Sequence, residues 1–293
     1  MYKDSELLYQ YKNGNYTVRI FKDGTKERFT IEDEFIPEFP ESIDLKITNY
    51  CDLGCPMCHE SSSLEGSHAS LDALFLNTIH EGTELAIGGG NPLSHPDLIP
   101  FLKRMKEQGV ISNITINEKH LLTNLELVDR LMKEELIHGL GISISLYSSI
   151  TNEFIKNHPN AVSHLILGIH KLDDVLSKLD DGIKVLFLGY KKFGRGEKYY
   201  SSNIEKEIEY TQYNFRKVMK KFSYVAFDNL ALKQLRAKEN LPRPLYNRFY
   251  MGDDGVFTMY VDLVKKEFAL SSTSKERYPL LENSGEMLNF LKK

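Results

Sequence analysis

Apolar and polar positions change period more than once along the chain. Around Tyr9–Phe21 they alternate one by one, as in Tyr16-Thr17-Val18-Arg19-Ile20-Phe21, with turn signals at Asn13-Gly14-Asn15 and Asp23-Gly24. Period-two alternation interrupted by glycine-bearing turns predicts a short antiparallel meander that continues through Lys26–Ile31. A Pro-punctuated link, Ile36-Pro37-Glu38-Phe39-Pro40, leads to a predicted strand, Ile43-Asp44-Leu45-Lys46-Ile47. From there helical spacing and apolar strands take turns. Leu71–His80 precedes Glu84–Ile87, Pro96–Gln108 precedes Ser112–Asn117, and Leu122–Leu136 precedes Leu140–Leu146. Val162–Leu179 then precedes Ile183–Leu188, and Ile204–Phe222 precedes Tyr224–Phe227. Six strands separated by five helical segments imply an α/β fold with a parallel sheet and right-handed crossovers, either a partial barrel or a doubly wound sheet.

After Asn229 the rhythm changes to a short helix and the link Leu241-Pro242-Arg243-Pro244. Two strand-like runs, Tyr246–Met251 and Val256–Val261, flank Gly252-Asp253-Asp254-Gly255, a hairpin signal, and Glu267–Leu270 offers a third run. The chain therefore divides into a meander and linker over residues 1–40, an α/β unit over 41–228 and an extension over 229–293.

Composition narrows the class. Hydrophobic residues make up 41% of the 293 and charged residues 27%, which are globular values. No run reaches the roughly 18 apolar residues that span a bilayer, and Met1-Tyr2-Lys3-Asp4 lacks the apolar core of an export signal. A soluble, cytoplasmic protein with no membrane partner is expected. Lys and Arg number 37 against 41 Asp and Glu, a net charge of -4, so nucleic acid is not indicated as a partner.

All three cysteines lie in Cys51-Asp52-Leu53-Gly54-Cys55-Pro56-Met57-Cys58, so no disulfide can tie distant parts of the chain together. Three thiolates on one loop suit a metal cluster, and a four-iron cluster held by three cysteines keeps one iron open for a chelating molecule. A structural zinc with His59 or His68 as fourth ligand is the other reading, although such ligands usually come as two separated pairs. With no cysteine elsewhere, a second cysteine-ligated cluster, a thiol hydrogen donor and a methyl-carrying cysteine are excluded.

The CxxxCxxC run after the first strand of a β/α series resembles the signature of the radical S-adenosylmethionine (radical SAM) superfamily, and Ile47-Thr48-Asn49-Tyr50-Cys51 resembles its lead-in. The resemblance covers about Ile43–Asp228 and implies a (β/α)6 partial TIM barrel, with the N-terminal meander and a small C-terminal extension added. It implies that Cys51, Cys55 and Cys58 hold a [4Fe-4S] cluster whose fourth iron is chelated by S-adenosyl-L-methionine (SAM). Reductive cleavage of SAM would release a 5′-deoxyadenosyl radical that abstracts hydrogen from a substrate, with a reductant such as flavodoxin or ferredoxin as electron donor.

Further positions follow from the same resemblance. Gly88-Gly89-Gly90-Asn91-Pro92 stands where the family has Gly-Gly-Glu-Pro, so Gly89, Gly90 and Asn91 would receive the SAM amine, the last without the family's charge. Ser143 and Ser145 share one side of the fourth strand and would bond ribose or carboxylate, and Asn117 ends the third strand facing SAM. Met57 and Leu188 would pack near the adenine, with Leu186 a core residue. Arg195, or Lys191 beside it, could clamp a carboxylate or phosphate; Lys156 is a weaker candidate. The region Asp253–Asp262 resembles the opening hairpin of SPASM-type extensions, without their cysteines, an unrelated capping hairpin being the other reading, and the resemblance favours a peptide or protein substrate over a small metabolite or nucleotide. Tyr147, Tyr190 and Tyr260 lie near expected mouth positions as phenolic hydrogen donors. A non-catalytic metal-binding interaction module is the alternative from another class.

Overall fold

The structure is a computed structural model that describes residues 6–292; the start Met1-Tyr2-Lys3-Asp4, read above for an export signal, lies outside them. Strands β1 (Leu7–Asn13), β2 (Tyr16–Phe21) and β3 (Lys26–Phe29) form the expected antiparallel meander in the order β1-β2-β3. Ten further strands make one open sheet: β4 (Ser42–Thr48), β5 (Glu84–Gly89), β6 (Ile111–Asn117), β7 (Gly139–Ser143), β8 (Ala161–Ile166), β9 (Lys184–Leu188), β10 (Tyr224–Phe227), β11 (Thr258–Asp262), β12 (Glu267–Ala269) and β13 (Tyr278–Pro279). Their spatial order is β10-β9-β8-β7-β6-β5-β4-β11-β12-β13. From β10 to β4 and on to β11 all pairs are parallel, and only β12 and β13 run antiparallel to their neighbours. The sheet is the α/β fold expected, curved but not closed.

Each parallel strand turns one row of side chains outward onto the helices. Ile43, Leu45 and Ile47 of β4 and Leu85 and Ile87 of β5 are at most 1% exposed within that layer, each contributing about 1.5–3 kcal/mol by leaving water. The other row, including Asp44 and Lys46, Ala86, Asn113 and Thr115, faces the concave side. The meander covers the N-terminal ends of the strands through Tyr11, Tyr16, Val18 and Ile20, packed on Ile111 and Phe257. It is fixed there by buried Glu41, which accepts from Arg28 Nε (2.7 Å) and Nη2 (2.9 Å) and from the Tyr16 hydroxyl (2.7 Å). The opposite end is left for chemistry, as in barrels generally.

Three expectations change. Leu71–His80 holds only a 3-10 turn, Leu74–Thr78, because Thr78 Oγ1 bonds Phe75 O and Ile79 is extended. Val162–Leu179 is a strand and a helix: β8, a turn at Gly168 (φ 76°), and helix Leu172–Lys178. The strand ending at Leu188 is therefore the sixth of the parallel series, not the fifth. Finally, Tyr246–Met251 is no strand; Pro244 at the first turn starts a helix, Arg243–Phe249, and the hairpin is β11–β12, turning after Asp262 instead of at Gly252–Gly255.

Candidate functional site

The C-terminal ends of β4, β5, β6, β7 and β9 meet around the cysteine loop. Cys51 N donates to Ser63 O (2.9 Å), Cys58 N to Cys55 O (3.2 Å), and Gly54 turns the loop at φ 59°. Across the mouth, Arg195 grips the same loop, its Nε on Cys55 O (3.0 Å) and its backbone N on Cys58 O (3.1 Å). All three thiols are free and half-buried. Burial pushes the Cys51 and Cys55 thiols up, and neighbouring cysteines add to the rise, so the three lie within one another's field. Thiols that oppose one another's ionisation are a fitting donor set for a cationic cluster, which removes that opposition.

The residues of the zinc reading are engaged elsewhere. His68 Nδ1 bonds Thr48 Oγ1 (2.9 Å), while His59 Nε2 lies 3.4 Å from Glu60 and 3.5 Å from Lys191 Nζ. The histidine that does approach the loop is His120, whose Nε2 meets Asp52 Oδ1 at 2.7 Å with Cys51 nearby.

After β5 the backbone presses against the cysteine lead-in. Gly90 N donates to Thr48 O (2.8 Å) and Asn91 N to Tyr50 O (2.7 Å). A Cβ on Gly89 would run into Thr48 O and one on Gly90 into Tyr50 O, and Gly89 sits at φ 118°. Asn91 Oδ1 accepts from Leu93 N (3.2 Å), capping the turn Pro92–Ser94, so its side chain serves its own turn in this structure. Asn117 Oδ1 likewise caps a helix through Lys119 N (2.9 Å) and also accepts from the Ser145 hydroxyl (3.1 Å). Ser143 ends β7, half-buried; Met57 and Leu188 are half-buried as well. Lys191 Nζ donates to Ser272 Oγ (2.9 Å), and Lys156 pairs with Asp180 (2.6 Å). Of the three tyrosines expected near the mouth, Tyr190 donates to Gly196 O (2.7 Å) and Tyr260 to Glu60 (3.0 Å).

Sequence reasoning missed an ion network beneath the loop. Lys46, 3% exposed, pairs with Glu60 (2.7 Å) and Asp262 (3.0 Å), joining β4, the cysteine loop and β11. Burial works to raise the Glu60 carboxyl, but His59 and then Lys46, each by hydrogen bond and charge, hold it far below the usual carboxylate range. Also missed were His164, whose ring lies where a Gly141 Cβ would be, and Asp44. Burial and then Lys191 push His164 down to about 4, so it is neutral at pH 7. Asp44 is open to the concave side yet enclosed by its walls, and this enclosure, reinforced by Asp254, Asp228 and Glu60 against Lys191, pushes its carboxyl up to about 6.

A raised carboxylate favours the folded state only while it can keep its proton, so Asp44 weakens the fold progressively as pH rises from about 4 through about 6. Asp44→Asn is therefore expected to stabilise the protein at pH 7.5, by about 1 kcal/mol once solvent screening in the open concavity is allowed for. The gain should shrink at pH 4.5. Thermal melts of both proteins at the two pH values check this; an equal shift at both would remove the assignment.

Comparison with known proteins fits this geometry. No protein-family model matches the chain. Over 103 residues, 32% of the chain, it is 31% identical to the PqqA peptide cyclase of Gluconobacter oxydans (strain 621H), a match spanning 28% of that relative. SuiB of Streptococcus suis has the same fold: 99% of this chain and 88% of SuiB align with a TM-score of 0.60 at 11% identity. SuiB bound to S-adenosylmethionine aligns over 97% and 88% (TM-score 0.57, 11% identity), and SuiB bound to precursor peptide SuiA over 88% and 66% (0.58, 13%). The likeness to SuiB is one of fold, and the likeness in sequence to the PqqA peptide cyclase is confined to those 103 residues. Among the described residues no helix is long and apolar enough to cross a membrane.

Proposed function

We propose that the protein is a radical SAM enzyme acting on a peptide or protein in the cytoplasm, with residues 1–40, 41–228 and 229–293 as base plug, partial barrel and extension. The observation that carries this reading is the convergence of three free thiols with the tightly packed Gly89-Gly90 backbone at the C-terminal ends of β4 and β5. Cys51, Cys55 and Cys58 would hold a [4Fe-4S] cluster. When bound, cluster and SAM supply one-electron cleavage to a 5′-deoxyadenosyl radical, with flavodoxin or ferredoxin as electron source.

The chain's own residues bind and orient. Gly89, Gly90 and Asn91 receive the methionyl amine, Asn117, Ser143 and Ser145 the ribose or carboxylate, and Met57 and Leu188 flank the adenine. Arg195 steadies the cysteine loop through Cys55 O and offers its fork to a carboxylate. Substrate on the concave side meets Asp44 and neutral His164. A peptide substrate is supported by the relative named as a peptide cyclase and by the fold shared with SuiB, which has been captured with its precursor peptide.

Anaerobically reconstituted, dithionite-reduced protein is expected to form 5′-deoxyadenosine from SAM, measured by chromatography. One equivalent of zinc without iron would overturn the cluster. A reduced cluster with bound SAM and no product would overturn the enzymatic reading.

A further inference from the structure

Glu118 directly follows Asn117 and is 0% exposed, yet its carboxylate forms no ion pair among the described residues. Its partners are backbone N–H groups of the loop after β7. Oε2 accepts from Ser145 N (2.7 Å), Leu146 N (2.6 Å) and Tyr147 N (3.1 Å), and Oε1 accepts from Ser148 N (2.7 Å). Successive N–H groups can converge on one anion only if the chain curls around it, and here Tyr147 supplies the curl in the left-handed region, φ 56°. A tyrosine adopts that conformation only where its surroundings enforce it. The loop is thus an anion nest filled by the chain's own carboxylate.

Both ends of this nest bear on the site. Ser145 gives its N–H to Glu118 and its hydroxyl to Asn117 Oδ1 (3.1 Å), while Ser148 goes on to cap helix Ser149–Asn157 through Ile150 N (3.2 Å). One buried carboxylate therefore sets the relation between the end of β6 and the end of β7. A neutral side chain would leave up to four N–H groups of this loop short of a charged acceptor.

We propose that Glu118 is a positioning residue: by closing the loop 145–148 it fixes the Asn117–Ser145 hydroxyl-amide pair, and with it Ser143, in the arrangement that receives SAM. This rests on the proposed function, since it takes SAM as the occupant. Glu118 touches none of the three cysteines, so iron loading is set apart from its role.

The test is a SAM titration of reconstituted wild type, Glu118→Gln and Glu118→Ala at matched iron content, with and without sodium formate. Formate is a carboxylate small enough for the space that alanine opens. The alanine variant should raise the SAM Kd tenfold or more, glutamine about threefold or more, and formate should bring alanine back to within threefold of wild type while leaving wild type unchanged. Iron per chain should match throughout. If wild type itself does not bind SAM, the proposed function falls. If wild type binds and alanine stays within twofold, or if formate restores Tm but not Kd, the positioning role is overturned. Should Glu118→Ala not fold, glutamine decides by the same twofold limit.

Discussion

Anaerobically reconstituted Cys51→Ala, Cys55→Ala and Cys58→Ala proteins should each fall far short of the about four irons per chain expected for the parent, and lose its visible absorption. Each cysteine would hold a different iron, so no single loss can be shared out among the other two. The fold itself should survive. The three thiols sit half-buried on the mouth, apart from the layer of Ile43, Leu45 and Ile47 that holds β4 to its helices. Iron analysis beside far-ultraviolet circular dichroism separates the two effects. Parent-level iron in any of the three proteins would remove that cysteine from the ligand set.

Gly89→Ala should damage both stability and site. A side chain at φ 118° is strained wherever it sits, and this Cβ would also strike Thr48 O, a backbone atom that cannot swing aside. Either Thr48 retreats, dragging Tyr50 and Cys51 with it, or β5 withdraws and Gly90 N loses Thr48 O. The expected cost is about 3 kcal/mol, with several degrees lost in Tm and weakened iron loading. Gly54→Ala is the control for positive φ alone, since nothing lies within 4 Å of where its Cβ would be. If the two variants lose stability equally, the close approach to Thr48 does not matter.

The meander and β4 were legible because each gathers its apolar side chains on one face, so that the sequence alternates with period two. β8 was not. Leu165, Leu167, Leu172, Val175 and Leu179 are all buried, and run together they imitate a single helical stripe, although they belong to a strand and the helix after it. Gly168 between them was the available signal. Tyr246–Met251 misled in the opposite sense, because the aromatic composition of a strand outweighed the helix start written in Pro242 and Pro244.

At the site, the cysteines were legible because all three ligands lie on one loop. The Lys46, Glu60 and Asp262 network was not, since its members are brought together only by tertiary folding. One member was hinted at: Lys46, like Asp44, alternates with Ile43, Leu45 and Ile47, which marks a polar concave face. Glu118 gave no hint, because an acidic residue in the first turn of a helix is ordinary.

β4, early in the chain, takes its second neighbour from β11, with Ser42 opposite Thr258. A ribosome must therefore finish the whole β/α series before the first barrel strand can be covered on that side. Until then β4 presents a bare edge, and Lys46 has Glu60 but not Asp262 beside it. Pairings so distant along the chain are among the slower contacts to form. The cysteine loop, anchored through Glu60 to that same lysine, therefore has its full ionic support only once β11 has paired.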